Sequence, residues 1–253
     1  MGIVDKRLIL VTGGGRGIGA DVVERIARRG FPVCFSYISR EQEANNLVDR
    51  LIAQGHRVAC LRSDVGEPAD IDRLFKFAQD KFGTLGGLVN NAGYVGQVGR
   101  KVANVDHETL KKTFDVNVIG PFLCAQHALE QLSTDQGGAG GRIVNVSSIA
   151  ARTGSPNDWV DYAASKAALD TFTLGLAREV AKQAIQVIGV APGGVATELH
   201  AQAGGPERVE RFSQVTPIGR AAEAAEIAEV VVWALLDAPD YLTGTTVDVA
   251  GGL

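Results

Sequence analysis

The chain has 253 residues, a formal net charge of −4 at pH 7, and 45% hydrophobic residues. This composition is ordinary for a globular protein, and a chain of this length can bury a large core. The mild negative charge argues against nucleic acid as the main partner, because phosphate binding relies on clustered lysine and arginine side chains.

Short apolar runs alternate with longer runs of helical periodicity along the chain. The predicted strands are, in chain order, 7–12, 32–37, 57–63, 85–91, 142–148, 185–192 and 245–252. The predicted helices are 17–29, 41–54, 67–82, 108–132, 160–182 and 223–236. Each predicted helix therefore follows one strand and leads to another, as in repeated strand–helix units.

The strands are mostly continuous apolar runs, which is typical of parallel strands covered on both faces. The pattern predicts an α/β fold, namely a single-domain doubly wound Rossmann fold of about seven parallel strands with helices on both faces. No break in composition divides residues 1–253 into two domains. The segment 193–217 lacks a strong period, and we expect it to be a substrate loop because long loops in compact domains are usually functional.

The cysteines and histidines carry no sign of a disulfide framework or a metal site. The three cysteines are far apart without a CxxC pair, which is typical of small buried side chains in a reducing compartment. The four histidines lack metal-ligand spacing, so we expect no metal. No stretch reaches the roughly 20 apolar residues of a membrane span, and we expect a cytoplasmic protein with no membrane partner.

A glycine-rich turn, TGGGRGIG, spans residues 12–19 between the first strand and the first helix. Gly13, Gly17 and Gly19 have the spacing GxxxGxG, one residue different from the GxGxxG fingerprint. Glycines here allow a tight turn and close approach to a pyrophosphate, which the helix N-terminus then attracts. The position between a strand and a helix favours dinucleotide binding over a merely permissive loop.

The end of the second strand bears on which nicotinamide cofactor is preferred. NAD enzymes usually place a carboxylate there, about 20 residues beyond the glycines. The position is Ser36, and no carboxylate occurs from Phe31 to Arg40. A 2′-phosphate would not be repelled, and Arg16 and Arg40 could pair with it. We therefore predict NADP(H) in preference to NAD(H), with NAD(H) still possible; the alternative is that Ser36 is only a polar strand end and Arg16 a solvated side chain.

Four more motifs follow the glycine-rich turn in order: NNAG (90–93), VNVSS (144–148), YAASK (162–166) and PGGVATE (192–198). Together the five motifs resemble the short-chain dehydrogenase/reductase family over nearly the whole chain. The stretch 147–166 is similar to bacterial single-domain members of the 3-oxoacyl-carrier-protein reductase-like or glucose 1-dehydrogenase-like groups. The resemblance implies hydride transfer between a nicotinamide and a carbonyl or secondary alcohol.

The resemblance also implies a catalytic set of four residues. Tyr162 and Lys166 share a helix face because they are four positions apart; Tyr162 would be the general acid/base, and Lys166 would lower its pKa and hold the nicotinamide ribose. Ser148 would hydrogen-bond the substrate oxygen, although it lies 14 positions before Tyr162 where the family usually has 13. Ser147 is the alternative. Asn117 would bend its helix and hold a water that links the lysine to solvent.

Positions that match cofactor contacts of the family lie at the ends of several strands. They are Gly13, Arg16, Gly17, Ile18, Gly19, Ser36, Asp64, Val65, Asn91, Ala92, Gly93, Tyr162, Lys166, Pro192, Gly193, Val195 and Thr197. Asp64 and Val65 resemble the pair beside the adenine, and Asn90 would stabilise the central strand. The segment beginning at Pro192 would meet the nicotinamide amide and the diphosphate.

The same fold also supports two other functions. A non-catalytic dinucleotide sensor would have lost the tyrosine or the lysine, and this chain keeps both. An epimerase or dehydratase would usually have a longer chain with an added substrate domain. The resemblance further implies a homotetramer built partly on the helices at 108–132 and 160–182. The substrate is expected to be a small carbonyl or alcohol, and Trp159 is either a pocket wall or an interface aromatic.

Overall fold

The computed structural model describes residues 6–97, 99–196 and 214–253. Its strands are β1 (Leu8–Val11), β2 (Val33–Tyr37), β3 (Val58–Arg62), β4 (Leu85–Asn90), β5 (Gly141–Val146), β6 (Ile185–Pro192) and β7 (Thr245–Val249). Its helices are α1 (Gly17–Arg28), α2 (Glu41–Ala53), α3 (Pro68–Phe82), α4 (His107–Phe114), α5 (Gly120–Leu132), α6 (Ala150–Thr153), α7 (Val160–Val180) and α8 (Ala224–Leu236). Every predicted strand is present.

The seven strands form one sheet in the order β3-β2-β1-β4-β5-β6-β7, and every neighbouring pair is parallel. The predicted doubly wound Rossmann fold is therefore confirmed. The strand order reverses between β1 and β4, and in such sheets a ligand crevice lies outside the carboxyl ends of the strands at this point.

The core has two apolar layers, one on each face of the sheet. In β1, Ile9 and Val11 belong to one layer, while Leu8 and Leu10 belong to the other. Side chains alternate between faces along a strand, so a strand covered on both sides must be apolar at every position. Each fully buried aliphatic side chain contributes roughly 1.5–3 kcal/mol, which makes β1 a strong anchor for the turn that follows it.

The predicted continuous helix over 108–132 is the one element that the structure divides. A π-helical turn (Asp115–Ile119) separates α4 from α5. Pro121 stands in the first turn of α5; it has no N–H to donate to the carbonyl of Asn117 four residues earlier, and its ring crowds that carbonyl. A side chain at Gly120 would also lie 2.6 Å from the carbonyl oxygen of Val65. The short helix α6 was not predicted.

Within the described part of the chain, no helix is both long enough and apolar enough to cross a membrane. In the same residues, no group of three or more His, Cys, Asp or Glu side chains is placed to hold a metal ion. The three cysteines are free thiols. Burial raises the pKa of the Cys34 and Cys124 thiols to about 12, so both stay protonated and unreactive near neutral pH.

Candidate active site

A cleft opens at the carboxyl ends of β1, β2, β4, β5 and β6, where the strand order reverses. The sequence-predicted residues that line it are Gly13, Arg16, Gly17, Ile18, Gly19, Ser36, Val65, Asn91, Ala92, Gly93, Ser148, Tyr162, Lys166, Pro192, Gly193 and Val195. Two predicted residues, Asp64 and Asn117, are not part of the lining. Thr197 and most of the predicted substrate loop, residues 197–213, lie outside the described residues.

The glycine-rich turn is too crowded for side chains at three of its positions, of which Gly13 and Gly19 line the cleft. Gly13 has a φ of +65°, and a Cβ there would lie 3.0 Å from Cα of Ala92. A Cβ at Gly19 would lie 2.3 Å from the carbonyl oxygen of Gly13. Arg16 is the N-cap of α1 and makes no side-chain cap hydrogen bond. The turn therefore presents bare backbone and the N–H groups of a helix start to the cleft.

The turn is tied to β4 by a pair of polar side chains. The Thr12 hydroxyl accepts hydrogen bonds from the backbone N–H groups of Asn91 and Ala92, both at 3.1 Å. In return, Nδ2 of Asn91 donates to the carbonyl oxygens of Thr12 and Gly13, both at 3.0 Å. Asn91 therefore acts on the cleft by fixing the shape of the turn. Thr12 belongs to the motif but was assigned no role from the sequence.

Ser36 also supports the turn from the neighbouring strand. It is 1% exposed, and its hydroxyl accepts a hydrogen bond of 3.0 Å from the Gly13 N–H. Beyond it, residues 37–40 form the adjacent wall of the cleft. Arg40 has a φ of +61° at the N-cap of α2 and pairs with Glu43 at 2.9 Å. Tyr37 and the two residues after it were not predicted to face the cleft.

Asp64 contributes to the loop after β3 without reaching the cleft wall. Its Oδ1 accepts from the N–H of Gly66 at 2.9 Å, and its own N–H donates to Oδ2 of Asp70 at 2.9 Å. The residues on either side of it, Ser63 and Val65, do line the cleft. The carboxylate thus holds the loop that presents these two neighbours, a local Asx-type bond typical of aspartate.

Tyr162 and Lys166 lie one turn apart on α7 and face the cleft together. Nζ of Lys166 lies 5.8 Å from the centre of the Tyr162 ring and donates a 2.7 Å hydrogen bond to the carbonyl of Val146. The lysine is only 3% exposed. Burial lowers its pKa to about 8, and the carboxylate of Asp170 only partly opposes this shift. A positive charge is therefore held next to a phenol in a place with little water.

The two serines at the end of β5 differ in what their hydroxyls do. Ser147 is 3% exposed, and its hydroxyl donates to the carbonyl of Lys166 at 3.3 Å. Ser148 is half-buried, and its hydroxyl accepts from the N–H of Ala150 at 3.2 Å. A hydroxyl can donate only one hydrogen bond. Among the described residues, Ser147 already donates to the Lys166 carbonyl, whereas Ser148 acts only as an acceptor and can still donate. The loop before α7, where the extra residue between Ser148 and Tyr162 would lie, has Ser155 at a φ of +43°.

Asn117 lies beneath the site and is fully enclosed. Its Oδ1 accepts from the N–H of Tyr94 at 2.8 Å, and its Nδ2 donates to the Tyr94 carbonyl at 2.8 Å and to the Ser165 hydroxyl at 3.0 Å. A Cβ built on Gly93 would lie 3.7 Å from Asn117 Oδ1 and 3.8 Å from Lys166 Nζ. Asn117 therefore joins three segments around the lysine, and the predicted helix distortion at this residue is present as the π turn.

A bare glycine-rich turn at the reversal point of a parallel sheet, facing a buried tyrosine–lysine pair, defines a Rossmann-type dinucleotide-binding protein with acid–base groups at its cleft. The family model described as enoyl-(acyl carrier protein) reductase matches residues 13–253. The chain belongs to the short-chain dehydrogenase/reductase family, and it is an oxidoreductase that acts on CH–OH or C=O groups with a nicotinamide cofactor.

Three similar proteins illustrate the match. The uncharacterized oxidoreductase YgfF of Escherichia coli (strain K12) is 40% identical over 245 residues, which cover 97% of this chain and 99% of that protein. The hydroxynaphthalene reductase-like protein Arp2 of Metarhizium majus is 33% identical, with 97% and 94% covered. A blue fluorescent protein from a metagenomic library, solved in complex with NADPH, is 32% identical with a TM-score of 0.88 over 97% of each chain.

Proposed function

We propose that the protein is an NADP(H)-dependent reductase of small carbonyl compounds in which Tyr162 is the proton donor. One observation carries the proposal: the Lys166 ammonium lies 5.8 Å from the Tyr162 ring centre, on the wall of the cleft that also contains the glycine-rich turn. A tyrosine–lysine pair in this position can donate a proton to a substrate carbonyl that lies against a nicotinamide. The bound cofactor supplies the hydride.

Tyr162 gives its phenolic proton to the substrate oxygen as that oxygen becomes an alcohol. Free tyrosine has a pKa of about 10, and an adjacent positive charge favours the phenolate. Lys166 supplies this charge. One of its three N–H bonds goes to Val146, and among the described residues the other two remain for ligand oxygens such as ribose hydroxyls.

Ser148 orients the substrate oxygen in this proposal. Its hydroxyl hydrogen points to no acceptor among the described residues, and Ser148 lines the same cleft as Tyr162. Two donors on one carbonyl oxygen stabilise the negative charge that develops there. Asn117 supports the pair from below by holding the segment at Tyr94 against α7, and a water bound near it remains a prediction from the family resemblance.

The residues of the cleft fit a dinucleotide with a 2′-phosphate. A side chain at Gly13 or Gly19 would collide with the protein around the turn, so the turn that would hold a pyrophosphate keeps its shape only with glycine at both positions. Arg16 and Arg40 both line the end of the cleft beside β2, where no carboxylate lies between residues 31 and 40. An arginine fork matches phosphate geometry. The NADPH bound in the metagenomic blue fluorescent protein supports the same preference.

The direction of reaction is inferred from the cofactor and from a relative. The Metarhizium majus relative is named as reductase-like, and NADP(H) preference agrees with reduction. Behind the cleft wall, the Tyr162 ring packs in a buried apolar cluster that includes Val95 and Trp159. We infer a carbonyl on a small molecule as the substrate, with residues 193–217 as the substrate loop.

We also infer a homotetramer. Phe122 on α5 is 45% exposed and stacks on Phe172 of α7 with ring centroids 3.8 Å apart, and Leu174 is 38% exposed nearby in the sequence. Apolar side chains exposed together on two helices favour burial against another copy. Light scattering coupled to size-exclusion chromatography tests this inference; a monomer at micromolar concentration would contradict it.

The test of the proposed function is NADPH oxidation by purified protein with a panel of aromatic and aliphatic ketones and quinones. We expect turnover with NADPH faster than with NADH, and its loss in Tyr162→Phe and Ser148→Ala. The matched control is Tyr241→Phe, which removes the hydroxyl of a fully exposed tyrosine. Ser147→Ala tests the alternative serine, and greater loss of turnover in it than in Ser148→Ala would assign the role to Ser147. Tight NADPH binding without turnover on any carbonyl would instead favour the sensor.

A further inference from the structure

Arg100 and Asp161 form a buried ion pair beside Tyr162. Nη2 of Arg100 lies 2.5 Å from Oδ2 of Asp161, and the two side chains are 9% and 4% exposed. Asp161 is the second residue of α7 and directly precedes Tyr162. Neither member of the pair lines the cleft. Any effect of the pair on the site is therefore exerted through the segments that it holds in place.

Arg100 also holds the segment that leads into it. Nη2 donates a 2.7 Å hydrogen bond to the carbonyl of Val95, and Nη1 donates to the carbonyl of Gln97. Its backbone N–H donates to the carbonyl of Asp158 at 3.1 Å, and the Gly99 N–H donates to the Asp158 carboxylate at 3.1 Å. We call residues 95–97 and 99–100 the clamp loop, since they are fastened to the chain just before α7.

The clamp loop reaches Tyr162 through packing. Val95 belongs to a small buried cluster with Ala150, Trp159, Tyr162 and Ala163. The rings of Trp159 and Tyr162 have centroids 5.4 Å apart. The guanidinium holds the carbonyl of Val95 while the Val95 side chain packs in this cluster, so a shift of Arg100 is transmitted to the surroundings of the Tyr162 ring.

Stability alone is a poor explanation for this pair. Nε of Arg100 and Oδ1 of Asp161 are both buried and have no hydrogen-bond partner among the described residues. Incompletely satisfied buried ion pairs contribute little net stability, because desolvation offsets their attraction, and their best-attested use is to specify one arrangement of the chain. The arrangement specified here is that of the clamp loop against the first turn of α7.

We propose that Arg100 is a positioning residue for catalysis: its ion pair with Asp161 holds the clamp loop against the start of α7 and so fixes the Tyr162 ring at the cleft. This inference rests on the proposed function of Tyr162. The ring must stay within a narrow range of the substrate oxygen, since a misplacement of about 1 Å reduces turnover by roughly 100-fold.

The kinetic test compares Arg100→Met with Arg142→Met. Arg142 is a matched control because it is also a buried arginine, 2% exposed, paired with Asp240 and with backbone carbonyls. It stands near the start of β5, at the end of the sheet opposite the cleft. We expect Arg100→Met to lower kcat roughly 10- to 100-fold with KM for NADPH unchanged, since the glycine-rich turn is untouched. Arg142→Met keeps the kcat of the unmodified protein.

A second readout does not depend on activity. Trp159 is 5% exposed and Trp233 is 39% exposed, and these are the two tryptophans of the chain. In a Trp233→Phe background, acrylamide quenching of fluorescence reports on Trp159 alone. We expect the quenching constant to rise several-fold on adding Arg100→Met and to stay constant on adding Arg142→Met.

Two further variants keep the test decisive. Asp161→Asn keeps the shape of the side chain and one acceptor for Arg100, so it replaces Arg100→Met if that variant fails to fold. We expect it to lower kcat and raise the Trp159 quenching constant, each by less than Arg100→Met does. Arg100→Lys keeps a charge for Asp161 and should recover part of the lost turnover. The positioning role is overturned if Arg100→Met and Asp161→Asn change neither kcat nor Trp159 quenching beyond Arg142→Met. Failure of the proposed function differs, because turnover would then be absent from the unmodified protein or unaffected by Tyr162→Phe.

Discussion

Lys166 is the residue whose electrostatics the structure allows us to test most directly, and replacing it with methionine is the perturbation. Its ammonium is 3% exposed, and burial lowers its pKa from 10.5 to about 8. One pKa unit is worth about 1.4 kcal/mol, so this difference corresponds to about 3 kcal/mol. In the folded, cofactor-free protein at neutral pH, the charged lysine is therefore destabilising by that order.

The sign of the pH dependence follows from proton binding. From pH 8 to 10.5, the unfolded chain keeps a proton on Lys166 that the folded chain has released. Stability rises with pH wherever the unfolded state binds more protons, so the free energy of unfolding gains about 2 kcal/mol from this group between about pH 8 and 9.5. The stabilisation is fully present above 10.5 and is lost as pH falls through about 8.

The assay is urea unfolding of cofactor-free protein at a fixed protein concentration, because an oligomer's apparent stability depends on concentration. Tyr162→Phe is compared with Tyr162→Phe/Lys166→Met, so that ionisation of Tyr162 is absent from both curves. Between about pH 8 and 9.5, we expect the free energy of unfolding of Tyr162→Phe to rise by about 2 kcal/mol relative to that of Tyr162→Phe/Lys166→Met. A difference between the two proteins that stays constant with pH would refute the desolvation argument.

Three other substitutions give independent tests. Gly19→Ala should abolish NADPH binding in a fluorescence titration, because the new Cβ would lie 2.3 Å from the Gly13 carbonyl oxygen; binding at the original affinity would contradict the crowding. Asn117→Ala removes both hydrogen bonds to Tyr94 from a fully buried site and should lower the free energy of unfolding by about 2–4 kcal/mol. Arg142→Met should lower it by about 2–4 kcal/mol too, and an unchanged urea midpoint for either variant would show that water replaces the lost partners.

The sheet and most helix ends could be predicted because their causes are local in sequence. A strand buried on both faces has to be mostly apolar, and β1 is apolar at every position. Helix ends are marked by glycines in the left-handed half of φ space: Gly55 follows α2 at +85°, and Gly83 follows α3 at +84°. A reader of the sequence needs no knowledge of the fold to find either signal.

Helical periodicity predicts a continuous helix over 108–132, and only the family resemblance implied a bend at Asn117, although part of the cause of the division is local. Pro121 removes one hydrogen bond from the helix, and its position in the interior of the predicted helix 108–132 is a local sign of a break. The rest of the cause is tertiary. Asn117 bonds to Tyr94, 23 positions earlier, and Gly120 closely approaches Val65. The π turn is therefore the shape that satisfies these contacts.

The residues that touch ligand and the residues that place them leave different traces in a sequence. A glycine-rich turn and a tyrosine–lysine pair are short motifs because the chemistry demands several groups within one turn or one helix face. A positioning contact joins segments that are distant in the chain: Asn91 bonds to Thr12 across 79 positions, and Arg100 bonds to Asp161 across 61. Arg100 in isolation looks like a solvated loop charge. Only the fold shows that its guanidinium is buried against Asp161, the residue that precedes Tyr162. The motifs therefore locate the chemistry, while the geometry of the site depends on residue pairs that no motif contains.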